Sequence, residues 1–268
     1  MRFQYTPYVW VLLASAVDVV GLGLYAWRHR SVPGATSFAG LMLLAVVWAL
    51  TNALEMAGTD LPTKIFWANV QYLCYVTIPL AWLALALQYT GRDEWLTRRN
   101  LALLSIEPLI TVALVWTNDL HGLVRRDVYL DTAGPFPVIG KTYGPWFWVH
   151  AAYTYLLLAL AIYLLIAALR RPSPLYRRQT FVLLIGALLP LIANALYNFG
   201  FSPIPRHDVS PAVLSLSGAV VAWGLFRFRL FDIVPVARDT VVEGMDDGVI
   251  VLDAQSRIVD LNPAVERL

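Results

Sequence analysis

Apolar residues in this chain come in blocks of about membrane length, separated by short polar breaks. A spanning α-helix needs about 20 predominantly apolar residues. Seven blocks meet or approach that length, at 8–27, 38–57, 65–89, 101–117, 146–169, 179–200 and 209–226. The fourth and seventh are the shortest. The breaks carry loop chemistry: Pro33-Gly34, Gly58 to Pro62, Gly91 to Asn100, Pro172 and Pro174, Pro203 and Pro205. The pattern predicts an all-α membrane protein, a bundle of seven transmembrane helices. Pro79, Pro108 and Pro190 fall inside blocks and predict kinks there.

The break from Asn118 to Pro145 is long. It holds two β-prone runs, Val128-Tyr-Leu130 and Val138-Ile-Gly-Lys-Thr-Tyr143, around a turn at Asp131 to Pro137. That is a hairpin pattern. It could serve either as a lid over one mouth of the bundle or as an ordinary surface loop.

Composition agrees with the spans. Of 268 residues, 59% are hydrophobic and 14% charged, and the mean hydropathy is +0.62. Soluble domains are about 45–50% apolar and about 25% charged. The basic residues are 18 Arg and 2 Lys, and they gather at the ends of apolar runs. That is a topology signal and not a nucleic-acid-binding stripe. One set of span ends holds 11 Arg, the other 6 Arg or Lys, three of them in the long loop. The Arg-rich set is assigned to the cytoplasm, which puts the N-terminus outside, the C-terminus inside and the hairpin outside. The first block continues to Trp27 without a small-residue cleavage site and reads as a span, not a cleaved signal.

Polar residues inside spans need a protein partner or a cavity. Asn52 and Glu55 share a face near the outer end of the second span, Asn69 and Tyr72 do so on the third, and His150 and Tyr153 on the fifth. Asn194, Tyr197 and Asn198 share a face of the sixth. Four helices thus offer polar faces at one level. These residues are candidate ligand contacts lining an outward-facing pocket, and Glu107 joins them as a buried acid. The same residue types also hold helices together by interhelical hydrogen bonds, at about 0.6–2 kcal/mol each. Asp18 and Glu107 are the deep acids, with no Arg or Lys in the spans to pair with. They suggest the alternative of a small transporter or proton-coupled channel. A sensor of membrane lipid or quinone state is a further alternative. No mid-span lysine offers a retinal Schiff base. No catalytic constellation, metal box or cofactor motif appears, and Cys74 is the one cysteine.

After Phe226 the character changes. Leu230, Val234, Ala237 and Val241 follow an a/d spacing that fits a short coiled coil or an amphipathic tail. Gly248-Val-Ile-Val-Leu-Asp253 and Arg257-Ile-Val-Asp-Leu-Asn262-Pro263-Ala264 read as strand, turn, strand, then a helix opening at Asn262 with Pro263 first.

That last stretch resembles the opening of a PAS domain. The preceding residues resemble the N-terminal seven-helix sensor region of bacterial histidine kinases. Three stretches carry the likeness: Trp116-Thr-Asn118-Asp-Leu-His121, Gly144-Pro-Trp-Phe-Trp-Val-His150 with Tyr153, and Phe231-Asp-Ile-Val-Pro235. The resemblance implies a multi-pass protein of the bacterial inner membrane, acting as the signal-input module of a two-component system. It implies a homodimer that detects something at the outer face or in the membrane, here read as a small molecule in the outward-facing pocket, and works through cytoplasmic kinase domains and a response regulator. The expected organisation is a seven-transmembrane sensor domain at 1–229, a linker at 230–244 and the incomplete start of a PAS domain at 245–268. Phosphoacceptor and ATP-binding segments are not seen in these residues, so no catalytic activity is expected of them.

Overall fold

The structure is a computed structural model. It describes residues 1–7, 9–32, 34–133, 136–170, 174–201, 245–252 and 258–266, with single positions 213, 217, 220, 221 and 224. The chain divides into two compact units, Met1–Phe228 and Arg229–Leu268.

The first unit is built from α1 (Val9–Arg28), α2 (Ala35–Ala57) and α3 (Leu61–Tyr89), then α4 (Arg98–Leu104) and α5 (Ile106–Trp116), which Ser105 joins. A short α6 (Asn118–His121) leads to the strands β1 (Arg125–Asp131) and β2 (Val138–Tyr143), followed by α7 (Pro145–Ala168) and α8 (Pro174–Asn198). Five helical stretches are long and apolar enough to cross a membrane: α2, α3, Arg98–Trp116, α7 and the Tyr176–Asn198 part of α8. With 20 residues, α1 has the same reach. The seventh expected span, 209–226, lies mostly outside the described residues. Its described positions 213, 217, 220, 221 and 224 are helical.

Helices α3 and α4 begin before their apolar blocks, and side-chain caps set their starts. Asp60 opens α3: its carboxylate accepts from the Thr63 backbone N–H and hydroxyl, both at 2.9 Å, with Pro62 in the first turn. Thr97 opens α4 by accepting from the Asn100 N–H at 3.1 Å. The N-terminal segment pairs with the α2–α3 connection, Phe3 bridging Gly58.

Two prolines leave a carbonyl without its helical donor, because proline has no N–H for the residue four back. In apolar surroundings that acceptor needs a new partner. Pro108 frees the Leu104 carbonyl, and the Tyr153 hydroxyl of α7 donates to it at 2.6 Å. Pro190 frees the Gly186 carbonyl, and the Ser217 hydroxyl donates to it at 2.7 Å. Each freed carbonyl is therefore bonded from a neighbouring helical segment.

The expected hairpin forms. β1 and β2 pair antiparallel, Arg125 opposite Tyr143 and Asp131 opposite Val138, with a bulge between Arg126 and Tyr129. Asp127 sits in that bulge with a positive φ of 49° and accepts from the Thr142 hydroxyl at 2.8 Å. Asn118 anchors the hairpin's entry. Its side chain accepts from the Val124 and Arg125 N–H groups, each at 3.0 Å, and donates to the Arg125 carbonyl at 2.9 Å. At the exit, a Cβ on Gly144 would collide with the Leu123 carbonyl, so only glycine fits.

In the second unit β3 (Ile250–Leu252) and β4 (Ile258–Leu261) pair antiparallel, and α9 (Pro263–Glu266) follows, as the sequence pattern predicts. The Asn262 side chain accepts from the Val249 N–H at 2.8 Å and donates to the Asp247 carbonyl at 2.8 Å. It also caps α9 by accepting from the Val265 N–H at 3.3 Å. The linker at 230–244 lies outside the described residues.

Candidate functional site

A cavity of about 190 Å³ opens within the bundle at the end that carries the hairpin. Helices α2, α3, α7 and α8 form its walls, and the turn and second strand of the hairpin contribute Phe136, Ile139, Lys141 and Tyr143. Phe136 is buried against Leu12, Ala53 and Met56, which fastens the hairpin turn to α1 and α2. Tyr143 stacks on Phe147 of α7 at 3.7 Å between ring centroids.

On the α2–α3 side a hydrogen-bond net centres on Gln71, which is 1% exposed. Gln71 donates to the Glu55 carboxylate at 2.5 Å and accepts from Tyr75 at 2.9 Å and Asn52 at 3.3 Å. Trp48 donates to the Tyr75 hydroxyl at 3.2 Å. Lys64 is buried at the start of α3, and its ammonium donates to the Glu55 and Met56 backbone carbonyls at 2.8 and 3.4 Å. The last carbonyls of a helix lack intrahelical donors and carry its negative dipole end, so a lysine there caps α2.

On the α7–α8 side Tyr155 donates to Asn194 at 3.3 Å. Asn198 donates to Asn194 at 2.9 Å and to the Tyr155 hydroxyl at 3.1 Å.

His150 projects from α7 and meets Glu107 of α5, Nδ1 to Oε1, at 3.0 Å. Thr111 donates to the same carboxylate oxygen at 2.6 Å, and Trp146 donates to Thr111 at 2.8 Å. The other oxygen, Glu107 Oε2, is buried with no hydrogen-bond partner among the described residues.

Seven of the ten residues singled out from the sequence line the cavity: Asn52, Glu55, Tyr72, His150, Asn194, Tyr197 and Asn198. The other three do not reach it. Asn69 is spent on the Arg125 guanidinium, from which it accepts. Glu107 stands behind His150, and Tyr153 is spent on the Leu104 carbonyl. Glu107, expected to have no Arg or Lys of the spans as partner, bonds His150 and Thr111. Asp18, expected deep and buried, is exposed on the outer surface of α1, because the α2-facing side of that helix is taken by Ala16, Val19 and Leu22.

Several wall residues were not singled out from the sequence, notably Trp48, Lys64, Tyr75, Trp82, Arg125 and Lys141. A signal for some of them exists. Lys64, Ala68, Gln71, Tyr75, Ile78 and Trp82 recur at steps of 4, 3, 4, 3 and 4, one face of α3. Arg125 and Lys141 carry no such signal, since only the docked hairpin brings them to the cavity.

A family model described as the N-terminal 7TM region of histidine kinase matches residues 11–235. The chain belongs to this family. A PAS-domain model matches residues 239–268. No curated protein gives a significant match. As a histidine kinase 7TM region the chain is a multi-pass membrane protein and a sensor input module for signal transduction. The cavity and its polar nets lie wholly within the 7TM region.

Proposed function

We propose that this 7TM region binds a small molecule in the cavity beneath the hairpin and passes the event through its seventh helix to the PAS segment. The observation that carries the reading is the cavity itself. Four helices and the hairpin wall it, and the wall residues Asn52 and Thr154 each hold a buried polar atom, Oδ1 and Oγ1, with no hydrogen-bond partner among the described residues. A buried polar atom left unbonded costs about 1–3 kcal/mol, so a ligand that bonds these two atoms is favoured. The hairpin end faces outward, following the arginine distribution, and the hairpin acts as a lid. A ligand biases the output only by its difference in affinity for two packings of the bundle. The parent protein works as a homodimer in the bacterial inner membrane and signals through its kinase domains to a response regulator.

The test uses the purified protein in lipid nanodiscs. Small molecules released on denaturation are compared by mass spectrometry between the wild type and two cavity-filled variants, Ala68→Phe and Ala187→Phe. A compound retained by the wild type and absent from both variants supports the reading. Identical small-molecule content in all three, with ordered helices, refutes it.

A further inference from the structure

We infer that the ligand of this cavity is a small amphipathic organic anion: one carboxylate on a body about the size of a single ring. The inference rests on the cavity being the sensory site and adds the chemistry of what enters it.

Charge is the first argument. The ionisable groups on the wall are Glu55, Lys64, Arg125, Lys141 and His150, besides the tyrosines. One carboxylate thus faces two lysines and an arginine. Glu107 is consumed by His150 and Thr111. Lys64 is accounted for, since two backbone carbonyls hold its ammonium and both Glu55 and Asp60 lie near it. Lys141 acts on Glu55 more strongly than Lys64 or Arg125 does. Arg125 is the cation on which Glu55 acts least. It is 4% exposed and makes no ion pair with a described acid. Its guanidinium donates to the neutral Asn69 side chain and lies 5.6 Å from the Tyr72 ring centroid. A buried guanidinium is costly unless an anion pairs with it, and its planar fork suits a carboxylate.

Size and surface are the second argument. A cavity of about 150 Å³ accommodates benzene, and this one is about 190 Å³. The remaining space matches one polar substituent. Aromatic rings from Trp48, Tyr75, Trp82 and Phe147 make up much of the wall and suit an apolar body. Asn52 Oδ1, without a hydrogen-bond partner among the described residues, is an acceptor for a hydroxyl on that body.

The experiment uses three probes alike in size and differing in one group: 4-hydroxybenzoate, 4-hydroxybenzyl alcohol and 4-hydroxybenzylamine. Binding to the purified protein in nanodiscs of zwitterionic lipid is read by calorimetry. The anion is expected to bind saturably and at least about tenfold more tightly than the other two. Its affinity falls about tenfold or more in Arg125→Gln and in Lys141→Gln, and Arg125→Lys recovers part of it. Each tenfold change corresponds to about 1.4 kcal/mol. Lys141 is half-buried where Arg125 is buried, so its variant reports even where Arg125→Gln fails to fold. If the alcohol or the amine binds as tightly as the anion and competes with it, the anion assignment is overturned while the cavity remains the site. If no probe binds saturably, the anion assignment is overturned. The cavity's own status is then read from the cavity-filled variants.

Discussion

Asn118 offers a sharp test of how the hairpin is held over the bundle. Its side chain makes three contacts, accepting from the Val124 and Arg125 amides and donating to the Arg125 carbonyl. All three bonded groups belong to buried residues at the corner where α6 turns into β1. Asn118→Ala orphans two N–H groups and one carbonyl together. At the low end of the usual cost, about 1 kcal/mol for each buried group left unsatisfied, the corner loses about 3 kcal/mol. A loss of that size in local stability raises the open population by about 10²-fold, at about 1.4 kcal/mol per factor of ten. Amide hydrogen exchange in nanodiscs reads it directly. Exchange at Val124 and Arg125 should speed up by about two orders of magnitude, while the amides of α2 and α3 keep their protection. Asn118→Asp keeps the two acceptor contacts and loses the donor, so its effect should fall between. Exchange at the two amides changed by less than about threefold in Asn118→Ala would refute the account, and something else would then have to hold the hairpin down.

Three further expectations follow from the same geometry. Gln71→Leu removes the centre of the α2–α3 net and leaves Glu55 and Asn52 without that partner; thermal denaturation in nanodiscs should show a loss of about 2–4 kcal/mol. Tyr153→Phe leaves the carbonyl freed by Pro108 unbonded and should cost about 0.6–2 kcal/mol in the same assay, whereas Tyr163→Phe, on an exposed position of α7, should cost nothing measurable. The Asp60 carboxyl lies outside the spans and is held below its ordinary value of 3.8, chiefly by the Thr63 backbone N–H and then by the Thr63 hydroxyl. Because the folded value is the lower one, the carboxylate stabilises the α3 start at and above the ordinary value. That contribution is lost as pH falls below 3.8 through the folded value. Carbon-13 titration of Asp60 should give a midpoint under 3.8, and Asp60→Asn should flatten the acid limb of the stability curve.

The comparison of pattern with structure separates two kinds of information. Five of the spans, the hairpin and the strand–strand–helix opening of the second unit were legible because each depends on local order: apolar length, a Gly/Pro turn, an Asn-Pro cap. The polar level was legible too, since a polar residue in an apolar span must find a partner, and seven of the ten chosen residues do line the cavity. Which side of its helix each polar group faces was decided by packing. Asn69 and Gln71 are two residues apart on α3. One turns to the Arg125 guanidinium and the other to Glu55 across the cavity wall. Sequence spacing places them on different faces without saying which face is inside. Asp18 shows the same limit: its position within the span was readable, but the side of α1 that meets α2 was not. The tasks of Tyr153 and Ser217 were invisible in the sequence, because each answers a proline on another part of the chain. The cationic end of the cavity depends on tertiary structure most of all. Arg125 and Lys141 belong to a loop, and only the docking of that loop by Asn118 and Phe136 brings their charges to the mouth of the bundle. Local chemistry fixes which elements form, and burial and hydrogen bonding between distant segments fix which groups they share.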